Sequence, residues 1–90
     1  MVKDIIITSQ FKSDIKRYKN DNKIRIIVEY VIEQLKNDEI LDKKFRNHKS
    51  VNNYRDCFDC HILPDLILIY SILDNKVRLL RLCSHSELLK

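Results

Sequence analysis

The run Leu66-Ile67-Leu68-Ile69-Tyr70 constrains this chain more than any other stretch. It is an unbroken series of strand-forming apolar residues with no side left for water. A strand built from it must be covered on both faces, which places it in the middle of a sheet. Immediately upstream, Asp59-Cys60-His61-Ile62-Leu63-Pro64-Asp65 carries a histidine and two carboxylates around a proline bend. Ionisable groups delivered to the end of a rigid buried strand are a common way of building a site.

The remaining elements follow from hydrophobic period. Val2 to Thr8 reads as a first strand with the isoleucines as its core. Ser9 is placed to cap a helix over about 10–19, with Phe11, Ile15 and Tyr18 at i, i+4 and i+7. A second helix over about 23–36 repeats the pattern with Ile24, Ile27, Val28, Val31 and Leu35. Two antiparallel helices on one face of a sheet satisfy both stripes, and Lys12, Lys16, Lys19, Lys23 and Arg25 form their solvated side. The segment 37–53 has no clear period; Ile40, Leu41 and Phe45 are expected to pin it to the core. Lys43, Lys44, Arg46, His48 and Lys49 make it the most basic part of the chain, suited to a phosphate backbone or simply to solvent.

From Tyr54 to Ile62 the side chains alternate, with Tyr54, Phe58, Cys60 and Ile62 on one side and Arg55, Cys57, Asp59 and His61 on the other. Pro64-Asp65 turns the chain into the central strand, Leu66 to Ile72, and Asp74-Asn75 closes a second hairpin. Lys76 to Cys83 is the last strand, with Leu80 and Leu82 expected inward and Arg81 outward, on the polar face it shares with His61. The expected fold is α+β in the order β-α-α-β-β-β: two N-terminal helices on a mostly antiparallel twisted sheet, forming a single domain over residues 1–90.

Composition narrows the function classes. With 44% hydrophobic and 33% charged residues, a chain of 90 residues builds one core and is neither disordered nor membrane-spanning. No apolar run approaches the ~18 residues that cross a bilayer, and MVKDIIITSQ does not read as a signal peptide. A cytoplasmic protein is expected. The net charge of +4 leans towards an anionic partner. The chain has no glycine, so positive φ angles fall to Asn and Asp, with Asn20-Asp21-Asn22, Asn52-Asn53 and Asp74-Asn75 standing at such points. Cys57-Phe58-Asp59-Cys60-His61 matches C-x-x-C-H, a pattern compatible with haem, zinc or a redox pair. It lies in a strand rather than at a helix start, and no second C-x-x-C completes a zinc set. Reduced cysteines with no metal and no cofactor are expected.

Two motifs together carry a resemblance. Cys60-His61-Ile62-Leu63-Pro64-Asp65-Leu66-Ile67-Leu68-Ile69-Tyr70, followed by Arg81-Leu82-Cys83-Ser84-His85-Ser86-Glu87-Leu88, resembles the YafQ branch of the RelE/ParE toxin superfamily. His48 matches that family's upstream histidine in position, and two short helices before a three-stranded meander agree with its fold. The resemblance spans nearly the whole chain. It implies the toxin of a type II toxin–antitoxin pair: a metal-independent endoribonuclease that cuts mRNA, typically on the ribosome, and is silenced by a cognate antitoxin.

By the same resemblance, His48, His61, Asp65, Arg81 and His85 map onto the family's active-site positions. RNA cleavage without metal uses the adjacent 2′-hydroxyl as nucleophile and leaves a 2′,3′-cyclic phosphate. It needs a base, an acid and cations at the crowded phosphate. The implied roles are Arg81 as phosphate clamp, His85 as acid, and His61 or His48 as base, with Asp65 orienting an imidazole or taking the proton itself. Lys43, Lys44, Arg46, Lys49 and Arg55 are candidate RNA contacts, as are Leu66 and Leu89, which stand where many relatives place Trp and an aromatic residue. Phe58 replaces the family's Arg before Cys-His, Cys83 its Gly, and Lys49, Ser50 and Asn52 its Pro-Leu and Gly. The loss of two stacking groups implies altered base preference or weaker RNA binding rather than another reaction. A ParE-like gyrase inhibitor needs no histidines around an arginine, and a decayed toxin that only binds its antitoxin has no reason to keep them.

Overall fold

The structure, a computed structural model, describes residues 2–50 and 56–88. Among these the order is β1 (Asp4–Ile7), α1 (Ser9–Lys16), α2 (Asn22–Lys36), a 3₁₀ turn (Lys43–Phe45), β2 (His48–Lys49), β3 (Phe58–Leu63), β4 (Leu66–Leu73), β5 (Lys76–Cys83) and α3 (His85–Leu88). The strands form one sheet in the order β1-β5-β4-β3-β2. β1 runs parallel to β5 and the other pairs are antiparallel. The apolar run is the central strand, and Leu66 to Tyr70 are all buried. Its side chains divide between two clusters. Leu66, Leu68 and Tyr70 join the main core, while Ile67 and Ile69 pack with Cys57 and Leu80. The expected α+β layout holds, with the short strand β2 and helix α3 added to it.

Both N-terminal helices lie on the main-core face. Phe11 of α1 and Ile24, Val28, Val31 and Leu35 of α2 pack with Cys60, Ile62, Val77, Leu79 and Leu82 of the sheet. The cap of α1 is Thr8, one residue earlier than expected. Its hydroxyl accepts from Phe11 N at 3.2 Å and donates to the Leu79 carbonyl at 2.8 Å, so one side chain starts the helix and ties it to β5. Asp21 caps α2 by accepting from Ile24 N at 3.1 Å.

The turns are made as a glycine-free chain requires at Asp74 and Asn75, whose φ angles of 51° and 63° both lie in the left-handed region. That is the twist-compatible two-residue hairpin. Asn20-Asp21-Asn22 turns without a positive φ, Asn52-Asn53 lies outside the described residues, and Arg46 (φ 47°) is left-handed where no Asn or Asp stands.

Three inward assignments are corrected. Of the first-strand isoleucines Ile6 and Ile7 are exposed and only Ile5 packs on the core, and Ile40 is 96% exposed; the third lies in β5. Leu79, not Leu80, faces the main core, and Leu80 packs on the opposite face with Ile67 and Ile69. The cause is a bulge. Ile69 pairs with Arg81 but Tyr70 with Leu79, which leaves Leu80 extra. An inserted residue breaks strict alternation, so Val77, Leu79 and Leu82 share one face although the spacing changes from two to three.

Candidate active site

The site forms where β3 ends. A second bulge, between His61 and Leu63, precedes the Pro64-Asp65 turn and re-aims the end of the strand. β2 pairs with the start of β3, placing His48 opposite Asp59, two residues before His61. On the other side β5 runs out into α3, which begins at His85. Ser84 and Glu87 form a reciprocal capping box. Ser84 N donates to the Glu87 carboxylate at 3.1 Å, and Glu87 N reaches back to the Ser84 hydroxyl at 3.4 Å.

β2, β3 and α3 therefore present His48, His61 and His85 together. The His61 ring lies 5.8 Å from that of His48 and 5.5 Å from that of His85, between centroids. Asp65 accepts from His85 N at 3.3 Å and lies 3.1 Å from His85 Nδ1, so the turn carboxylate sets the orientation of that imidazole. His48 Nδ1 is 2.8 Å from the Lys49 carbonyl. His48, Asp65 and His85 are exposed, whereas His61 is half-buried between its neighbours. Burial, and then the positive charges that His85, His48 and Arg46 can carry, hold the His61 imidazole below its ordinary pKa of 6.5; a hydrogen bond to the Pro64 backbone opposes them.

Beside His61 runs a cleft of about 410 Å³ lined by Ile27, Lys44, Phe45, Arg46, Ile62, Leu63 and Pro64. Lys43, Lys44, Arg46 and Lys49 are all exposed, with Lys44 Nζ 5.3 Å from the centre of the Phe45 ring. The left-handed backbone at Arg46 closes the 3₁₀ turn between this cleft and His48.

Arg81 stands one row along the sheet. The cross-strand row Asp59–Ile69–Arg81 neighbours the row His61–Ile67–Cys83, which puts the Arg81 and His61 Cα atoms roughly 12 Å apart. Its guanidinium is engaged by Asp14 of α1, with Nε 2.8 Å from Oδ2. The structure thus gathers His48, His61, Asp65 and His85, and holds Arg81 at the adjacent position through a helix. Asp14 is absent from any reading by hydrophobic period, although an acidic residue three places after Phe11 falls on the buried face of α1 and was a usable signal.

Leu66 is a correction. It is 5% exposed and belongs to the main core, so it offers no surface to a base. The bulge before Pro64-Asp65 and the first β4 residue's pairing with Leu63 turn this side chain inward. Arg55 and Leu89 lie outside the described residues. The C-x-x-C pair does not converge: Cys57 packs in one cluster and Cys60 in the other, on opposite faces of the sheet. No cysteine is disulfide-bonded, and burial pushes the Cys60 thiol up to about 12.

Residues 3–90 match the family model for YafQ, a bacterial toxin of type II toxin–antitoxin systems. The chain belongs to this family. A YafQ relative from Escherichia coli strain B, named mRNA interferase toxin YafQ, is 30% identical over 96% of this chain and 95% of its own length. The YafQ fold seen in the E. coli DinJ–YafQ toxin–antitoxin complex superposes with a TM-score of 0.87 at 26% identity, covering all of both chains. A metal-bound toxin from Helicobacter pylori superposes with a TM-score of 0.85 at 33% identity over 98% of this chain and 99% of its own. As a YafQ-family toxin, the chain has no helix among its described residues long and apolar enough to cross a membrane.

Proposed function

We propose that this YafQ-family toxin is an mRNA interferase, an endoribonuclease that cuts mRNA on the ribosome in the cytoplasm and is held inactive by a cognate antitoxin. The observation that carries the reading is the row of three imidazoles, His48, His61 and His85, at 5.8 and 5.5 Å, with a carboxylate oriented on the last. The name of the E. coli relative and the complex formed by its structural counterpart support the enzyme class and the antitoxin.

In this reading the scissile phosphate lies over the histidine row. His61, uncharged at neutral pH, accepts the proton of the 2′-hydroxyl as its oxygen attacks phosphorus. His48 flanks it and can relay that proton. Asp65 bonds one side of the His85 ring and turns Nε2 outward, where it gives a proton to the departing 5′-oxygen. The O5′–P bond breaks as the 2′-O–P bond forms, leaving a 2′,3′-cyclic phosphate and a 5′-hydroxyl. Arg81 stabilises the charge that gathers on the non-bridging oxygens. Lys44 and Arg46, which line the cleft beside His61, and exposed Lys43 and Lys49 hold the flanking phosphates. Arg55 and Leu89 remain proposed RNA contacts. No step uses a metal.

Induced expression of the intact chain beside His85→Ala, with primer extension of cellular mRNA, tests this. New mRNA ends and growth arrest are expected with the intact chain and absent with the variant. Cleavage of purified mRNA is expected with ribosomes present, and undiminished after treatment of the toxin with EDTA. Growth arrest without new ends, unaffected by the substitution, would move the target away from RNA.

A further inference from the structure

Asp14 lies on α1, outside the histidine row, and its side chain is 1% exposed. A carboxylate so enclosed is retained only when donors replace the water it has lost. Here they converge from two elements, β5 and α1 with the residue that caps it. Arg81 approaches with Nε at 2.8 Å and Nη2 at 3.4 Å, and Leu82 N donates at 2.9 Å. Gln10 Nε2 at 3.1 Å and Arg17 Nη2 at 3.4 Å complete the shell from α1 and the residue after it.

The Leu82 bond has a plain structural reason. β1 pairs with β5 only as far as Leu79, so beyond it the edge of β5 needs another acceptor, and Asp14 supplies one. The contacts to Arg81 are not needed for that purpose. They fix the orientation of a long side chain whose guanidinium would otherwise sample many rotamers. Arg17 also pairs with Glu87 at 2.7 Å, and Glu87 is the capping residue of the turn that carries His85. One buried carboxylate thus touches the clamp directly and is linked through Arg17 to the helix presenting the acid.

We propose that Asp14 is a positioning residue for RNA cleavage, holding the Arg81 guanidinium preorganised for the scissile phosphate. The inference rests on the phosphate-clamp role proposed above for Arg81. A guanidinium already aligned need not reorganise as charge develops, which is where fixed donors gain most over solvent.

The test is a double-mutant cycle on the full chain, read as single-turnover cleavage of a ribosome-bound model mRNA. Asp14→Asn keeps an acceptor for Leu82 N but removes the charge. It is expected to slow the cleavage step about 10- to 100-fold with little change in KM, and to add nothing in an Arg81→Ala background. In ¹⁵N NMR the Arg81 Nε–Hε resonance should shift between the intact chain and Asp14→Asn. Losses that add, or an Asp14→Asn rate equal to that of the intact chain while Arg81→Ala is slow, would overturn the inference and leave the clamp in place. Arg81→Ala cutting as fast as the intact chain would remove the clamp role and this inference with it. Should Asp14→Asn not fold, Asp14→Glu, which keeps the charge and displaces it by one methylene, is read through the same cycle.

Discussion

Replacing Glu87 by glutamine isolates the charge of one carboxylate without changing its shape. The ion pair with Arg17 comes first, followed by the bond from Ser84 N, and together they hold the Glu87 carboxyl at about 2, against its ordinary 4.5. Taken at face value, that gap corresponds to about 3 kcal/mol of folding free energy. Arg17 is 48% exposed, however, and solvent screening of so open a pair reduces the expected contribution to about 1 kcal/mol. The sign follows from the folded pKa being depressed. The contribution is present in full above the unfolded value near 4.5 and is lost as pH falls from there towards 2. For a domain of this size, about 1 kcal/mol corresponds to roughly 4–8 °C in Tm. Thermal melts of the intact chain and Glu87→Gln across pH 7 to about 2.5 should show that difference at neutral pH and its progressive closure below pH 4.5. A gap that stays constant with pH would mean that Glu87 acts through packing or capping alone. No gap at pH 7 would mean the pair with Arg17 is too well solvated to matter.

Two further outcomes follow from the site. The His61 imidazole faces His48 from β2, His85 from α3, Arg46 from the end of the 3₁₀ turn and the Pro64 backbone, while Asp65 is engaged with His85. NMR titration should therefore place its midpoint below 6.5. His85→Asn or His48→Asn should raise that midpoint by removing a like charge, and a midpoint unmoved by both would refute the electrostatic account. Restoring the family's tryptophan with Leu66→Trp should cost about 1–3 kcal/mol in urea unfolding through overpacking, because Leu66 is enclosed in the core. Unchanged stability with tighter RNA binding would show that the side chain can turn outward.

Much of the fold could be read from periodicity because each element carries its own signal. The five buried residues of β4, the 3.6-residue stripe of α2 and the Asp74-Asn75 hairpin are local facts, fixed by which residues stand within a few positions of one another. The bulges at Leu80 and at the end of β3 escaped, because an inserted residue is defined by the partner strand and not by its own neighbours. Leu80 was misplaced for that reason, whereas Leu66 is buried as its apolar run requires, and only the RNA contact carried over from the resemblance fails there.

The sequence by itself determined that the chain makes a helix-covered sheet around Leu66–Tyr70, and its resemblance to the family, carried by two motifs and by His48 upstream of them, grouped the histidines with Asp65 and Arg81. Only the tertiary structure decided how they meet. Three histidines separated by 13 and 24 residues along the chain become a row because β2, β3 and the α3 turn that follows β5 bring them together over one sheet. Arg81 takes its orientation from Asp14, 67 residues away. Contacts of that separation depend on closing long loops around a common core, and no local pattern encodes them.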